Sequence, residues 1–197
     1  MRYHPDHKEK TRRRVLEEAT KAIRRQGPYR LGVAGVMNQA GLTHGGFYAH
    51  FSSKDALVSA AIGAMFDGAL ERWTRATHDR PPEAGLAAYI ESYLSAEHGD
   101  TRGGGCPLAA LASDLPRLAA PSRTAFAAGV RGLTDAIAAQ LERLGHEKPA
   151  MMAGSVIAEL FGSLSLARCE PDRERSDAIL VAARQSLLRR LGLRRVS

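Results

Sequence analysis

The chain has 197 residues, enough for one or two small domains with a sizeable core and too few for a large multidomain enzyme. Ala and Leu number 55 against 22 for Val, Ile and Thr, which excludes a sheet-dominated fold, and a content of 44% hydrophobic and 25% charged residues excludes a disordered chain. The net charge of +7 is one-sided: residues 1–54 carry 11 Lys/Arg and 4 Asp/Glu, whereas residues 55–197 carry 17 of each, so a polyanion-binding segment joined to a neutral body is indicated.

In chain order, Asp6 and Glu9 have the spacing of a capping box, and Val15, Leu16, Ala19, Ala22 and Ile23 follow at helical intervals until Gly27-Pro28 stops the helix. A short second helix over residues 33–40 ends at Gly41, the residue type that most readily turns left-handed. Thr43 is placed to cap a third helix over residues 44–50. Two short helices joined by a glycine-containing turn make the outline of a helix-turn-helix.

Ser52-Ser53-Lys54-Asp55 then opens a long helix with Leu57, Ala61, Met65, Ala69 and Trp73 on its apolar face, closed by Arg80-Pro81-Pro82. Leu86, Tyr89, Ile90, Tyr93 and Leu94 stripe a fifth helix. The stretch GDTRGGG, residues 99–105, is predicted to be a flexible loop leading to Cys106, which caps a short sixth helix begun by Pro107 and ending near Leu115-Pro116. Residues 122–144, 149–169 and 172–191 make three further helices, closed by Gly145, Pro171 and Gly192. The expectation is an all-α chain: a three-helix DNA-binding domain over residues 1–54 and a six-helix body over residues 55–197.

No charge-free apolar run is long enough to span a membrane, and the basic N-terminus lacks the apolar stretch of a secretion signal, so the expected compartment is the cytoplasm. Cys106 and Cys169 form neither a disulfide framework nor a metal-ligand pattern, and no metal or cofactor is expected.

The run Gly41-Leu42-Thr43-His44-Gly45-Gly46-Phe47-Tyr48-Ala49-His50-Phe51-Ser52-Ser53-Lys54-Asp55-Ala56-Leu57 closely resembles the DNA-binding signature of the TetR/AcrR family of bacterial transcription regulators. With the first helix the resemblance covers about the first 60 residues; Gly32 and Gly46 depart from it, standing where the family usually has Ser or Thr. The physical reading runs beside it. Thr43 and the free amides behind it face an anion, and Gly45 and Gly46 let backbone approach a groove wall. His44 is the side chain placed to read a base edge, Tyr48 and His50 to donate to phosphates, and Lys54 to add a cation beside the strand. Phe47 and Phe51, four apart, belong to the core.

The resemblance further implies a homodimer through the last two helices, for which Met152, Val156, Leu160, Phe161, Leu164, Ile179, Ala182, Ala183 and Leu187 offer apolar surface. It implies a palindromic double-stranded DNA operator and a small-molecule inducer held in the body, where Met65, Phe66, Tyr89, Tyr93, Phe126 and Phe161 are candidate lining residues. A Gly-Cys at the start of the sixth helix resembles a branch of the family that responds to electrophiles, which makes Cys106 a candidate sensor; a packed core cysteine is the alternative. Two other classes stay open: a helical enzyme using Cys106 with His98 or His146 as base, for which no motif is present, and a sequence-neutral binder of nucleic acid or anionic membrane.

Overall fold

The computed structural model describes residues 5–101 and 103–193, and every regular element among them is helical. The chain forms α1 (Pro5–Gln26), α2 (Val33–Gln39), a 3₁₀ segment (His44–Ala49), α3 (Lys54–Thr77), α4 (Pro82–Tyr93), α5 (Ala96–Asp100) and α6 (Pro107–Leu111). A second 3₁₀ turn (Leu115–Arg117) leads to α7 (Ala120–Arg143), α8 (Pro149–Cys169) and α9 (Arg173–Arg190).

Several ends form as the sequence dictates. The Ser53 hydroxyl accepts from the Ala56 amide at 3.0 Å and opens α3, and the Asp172 carboxylate accepts from the Arg175 amide at 2.9 Å and opens α9. Gly27, Gly145 and Gly192 close α1, α7 and α9 with positive φ. Other ends differ. Helix α1 begins at Pro5, so Asp6 lies inside it rather than at its cap. The third helix is 3₁₀ rather than α, because two adjacent glycines in a six-residue segment give the α-form little propensity. Its N-cap position is Thr43, but the hydroxyl makes no capping bond. Helix α6 is only one turn long. Helix α5 was not expected: Ser95 caps it by accepting from the His98 amide at 3.1 Å, so Gly99 and Asp100 are helical rather than part of a free loop.

One continuous core runs through both expected domains. Helix α3, about 36 Å long at 1.5 Å per residue, buries Leu57, Val58, Ala61, Ile62, Met65, Phe66, Ala69 and Trp73. It packs on α1, α4 and α7. Gly129 of α7 sits against the Phe66 ring, where a Cβ would lie 2.1 Å from a ring carbon, and this absent side chain lets the two longest helices approach. A single rigid element therefore connects the N-terminal helices to the body.

Helices α8 and α9 pack on each other at the far side. Four residues expected at a dimer face, Val156, Leu160, Leu164 and Leu187, are instead buried inside the protomer. The outward face of the pair carries Met151, Leu166 and Val181, with Ala158 and Ala182 between them. Of the other residues expected at the dimer face, Ala182 is exposed and Met152, Phe161, Ile179 and Ala183 are partly buried against the core; a 3.6-residue period does not say which of two apolar faces looks inward. By length and composition α8 is apolar enough to cross a bilayer, with a mean hydropathy of 1.5 over 18 residues, of which 28% are buried. A search for charge-free runs missed it because Glu159 and Arg168 interrupt the helix.

Candidate DNA interface and effector cavity

The geometry of the N-terminal segment follows from its two phenylalanines. Phe47 and Phe51 are buried, their rings stacked with centroids 5.8 Å apart, and they fasten the 3₁₀ segment to the core. With Phe47 inward, His44 and Tyr48 must project outward. Tyr48 is 71% exposed and meets the Phe47 ring edge-on at 5.2 Å. Thr43, His44 and Gly45 are exposed beside it. A Cβ at Gly45 would meet nothing within 4 Å, and one at Gly46 would touch Met37 at 3.7 Å, so neither glycine is demanded by internal packing. Gly41 is demanded: its φ is +68°, and a Cβ would lie 2.8 Å from the Arg14 guanidinium, which donates to the Ala40 carbonyl.

His50 and Lys54 flank this surface in different states. The His50 ring is half-buried with Nδ1 unpartnered, and burial, then Lys8 and Arg12, push its pKa below the usual histidine range. Lys54 Nζ donates to the Tyr29 carbonyl at 3.1 Å, tying the start of α3 to the turn before α2. Two contacts went unnoticed in the sequence. The Arg12 guanidinium lies 4.4 Å over the Phe51 ring and donates to the His50 carbonyl at 3.5 Å, so α1 braces the 3₁₀ segment from behind. Only the placement of Arg12 on the same face of α1 as its apolar stripe hinted at this.

The body contains a cavity of about 210 Å³ lined by Arg72, Tyr89, Ser92, Tyr93 and His98. A narrow apolar cleft of about 20 Å³ shares Arg72, Tyr89 and Tyr93 with it and reaches Cys106, Leu133, Ile157 and Leu160. Of the expected lining residues, Tyr89 and Tyr93 are in place. Met65 and Phe66 are sealed in the core, Phe126 packs edge-on against Phe66 at 5.2 Å, and Phe161 is partly buried against the same core. Burial and the neighbouring Cys106 raise the pKa of both tyrosines well above the usual phenol value.

Cys106 is buried and lines the cleft together with Tyr93. It precedes a helix of a single turn and is not the open helix terminus that the sequence suggested. His98 Nδ1 donates to the Tyr93 carbonyl at 2.7 Å, and burial, outweighing that bond, lowers its pKa to about 4. The end of α5 and the loop before Cys106 are held by arginines from three helices. Arg168 of α8 donates to the carbonyls of His98, Gly99 and Thr101, Arg24 of α1 to Gly103, and Arg72 of α3 to Gly104. Neither this clustering nor its reach to α1 could be read from a Gly-rich stretch.

Residues 15–61 match the family model described as bacterial regulatory proteins, tetR family. No curated protein matches the chain. Among solved structures, it is similar to Escherichia coli NemR in its reduced form, with 22% identity over 91% of this chain and 97% of that one and a TM-score of 0.79. It is also similar to a TetR-family transcriptional regulator from Agrobacterium tumefaciens, with 24% identity over 93% and 98% of the two chains and a TM-score of 0.78. A third, a TetR-family regulator from Streptomyces coelicolor, has 22% identity over 93% and 96% and a TM-score of 0.76. At these identities the likeness establishes the fold along nearly the whole chain, and the family model covers the DNA-binding signature.

Proposed function

We propose, for a chain that belongs to the TetR/AcrR family of bacterial transcription regulators, that it is a dimeric, operator-specific repressor released from DNA when a small molecule occupies its body. The observation that carries this reading is the outward row of Thr43, His44, Gly45 and Tyr48 on a segment anchored by Phe47 and Phe51, in the part of the chain that holds all the excess positive charge. His44 reads a base edge, Thr43 and Tyr48 position the backbone with His50 as a neutral donor, Gly46 keeps the segment slim, and Lys54 adds a phosphate contact at the start of α3.

The outward face of α8 and α9 supplies the dimer contact. Met151 and Leu166 are 69% and 64% exposed, on a helix otherwise as apolar as a membrane span, and a second copy covers that surface as readily as lipid does. This makes the protein a soluble, cytoplasmic dimer with residues 1–54 as the reading head and residues 55–197 as the effector and dimer body. Induction follows from population shift: a ligand that favours the conformation with misplaced heads weakens DNA binding, and DNA weakens the ligand by the same factor. Helix α3 is the lever, since it begins at Lys54 and ends beside Tyr89, whose ring lies 4.8 Å from that of Trp73.

An enzymatic role gains no support from the thiol, because Cys106 is buried and the His98 ring is engaged with a carbonyl. Cys106 remains the candidate for release by an electrophile that enters the cleft, a chemistry that Cys106→Ser would abolish while leaving repression intact. Footprinting the full chain on the DNA upstream of its own gene tests the main reading. It should protect two half-sites related by dyad symmetry, about 34 Å or a multiple apart; uniform protection without a preferred site would refute it.

A further inference from the structure

Three arginines stand at or near the wall of the cavity in the body. Arg72 lines it, and the charged groups acting on His98 at its wall are Arg72, Arg168 and Arg24, all cations. Among the described residues neither Arg24 nor Arg72 is ion-paired; each has only a backbone carbonyl at 3.4 Å, that of Gly103 and Gly104 respectively. Arg24 Nε is buried without a partner. Burial followed by repulsion from Arg72 lowers the Arg24 pKa to about 10, the mark of a cation held where its charge is poorly compensated. The one carboxylate on the lining, Glu97, is solvent-exposed, and among the described residues it is not ion-paired with either guanidinium. Two half-buried arginines with weak carbonyl bonds are under-satisfied donors, and an oxyanion meets that need better than a neutral group.

The second feature is the direction of the space. Arg72, Tyr89 and Tyr93 belong both to the polar cavity and to the apolar cleft between α3, α4, α7 and α8. A molecule with its charged end at Arg72 therefore points its other end between the tyrosine rings toward Leu133, Ile157 and Leu160. That end must be apolar, because beyond Arg72 and the two tyrosines that the cleft shares with the cavity its lining is the Cys106 thiol and apolar side chains. At about 20 Å³ the cleft is closed, so such a ligand would part α4 from α7 and α8 as it entered.

We propose that the effector is a small organic anion, a carboxylate joined to an apolar or aromatic body, whose oxygens bind Arg72 while its body enters the tyrosine-lined cleft. This rests on the repressor reading and names the ligand class for it. The anion draws Arg72 away from the Gly104 carbonyl. The loop that also holds Arg24 of α1 is thereby loosened, which gives the charged end a direct route to the reading head.

Trp73, the only tryptophan, touches Tyr89 and reports occupancy by fluorescence without DNA present. The full chain is titrated with benzoate and with 4-phenylbutanoate, each against its primary amide, and the affinities are checked by calorimetry. At least one acid should bind about tenfold or more tighter than its amide. Arg72→Met, which keeps the aliphatic stem, should erase that preference, and Arg72→Lys should keep most of it. An amide that binds as tightly as its acid, a preference that survives in Arg72→Met, or no response to either acid up to about 10 mM would each overturn the proposal. Because the titration is free of DNA, a missing footprint would sink the repressor reading alone, with the acid preference left standing.

Discussion

His98 makes stability depend on pH in a window that can be worked out. In the folded chain its pKa falls from 6.5 to about 4, chiefly through burial and then through Arg72, Arg168 and Arg24, against the raising effect of its bond to the Tyr93 carbonyl. Above pH 6.5 the ring is neutral in both states and costs nothing. As pH falls toward 4 the unfolded chain takes up a proton that the folded chain refuses, so stability is lost across that window and levels off below it. Each pH unit of the gap is worth about 1.4 kcal/mol, and the loss sums to about 3 kcal/mol for one site. His98→Asn retains a donor for the Tyr93 carbonyl but cannot be protonated. Urea denaturation of both proteins at about pH 7 and about pH 4 should show the parent losing about 3 kcal/mol more than the variant. Parallel loss in the two would refute the assignment of His98 as a buried, neutral ring.

Replacing His44 by Ala should weaken operator binding by about 1–3 kcal/mol and relax preference at one base position, whereas Lys54→Ala should weaken operator and random DNA alike and flatten the salt dependence by about one unit; competition binding over a salt series separates them. Met151→Asp combined with Leu166→Asp places two charges on the outward face of α8, where the parent exposes 69% and 64% of those residues, and should convert the dimer to a helical monomer in sedimentation at unchanged far-UV dichroism. Gly129→Ala drives a Cβ to 2.1 Å from the Phe66 ring, so the overpacking cost of about 1–3 kcal/mol should exceed the gain in helix propensity and lower the melting temperature.

The sequence carried the helical elements well, because each long helix has both a periodic apolar face and its own punctuation: Ser53 and Asp172 at starts, Gly27, Gly145 and Gly192 at ends. It also placed Phe47 and Phe51 inward by their spacing, and His44 and Tyr48 outward by their position and the family resemblance. What it could not carry was anything decided between elements. The side of α8 that faces the core depends on where α7 and α9 lie, so Val156 and Leu164 were read as dimer surface. The arginines that grip the loop at residues 98–104 come from positions 24, 72 and 168 and meet only in the fold. Cys106 looked open beside three glycines, yet it is buried in the cleft that Tyr93 also lines.

Sequence-specific recognition by the N-terminal segment is the central claim, and the ratio of two affinities at one salt concentration tests it most directly. The full chain is titrated onto the DNA upstream of its own gene and onto a shuffled duplex of the same length and composition. The account predicts a preference of about 1,000-fold or more for the native duplex at near-physiological salt. Equal affinities, falling together as salt is raised, would mean that the basic segment holds DNA by charge alone and would contradict it.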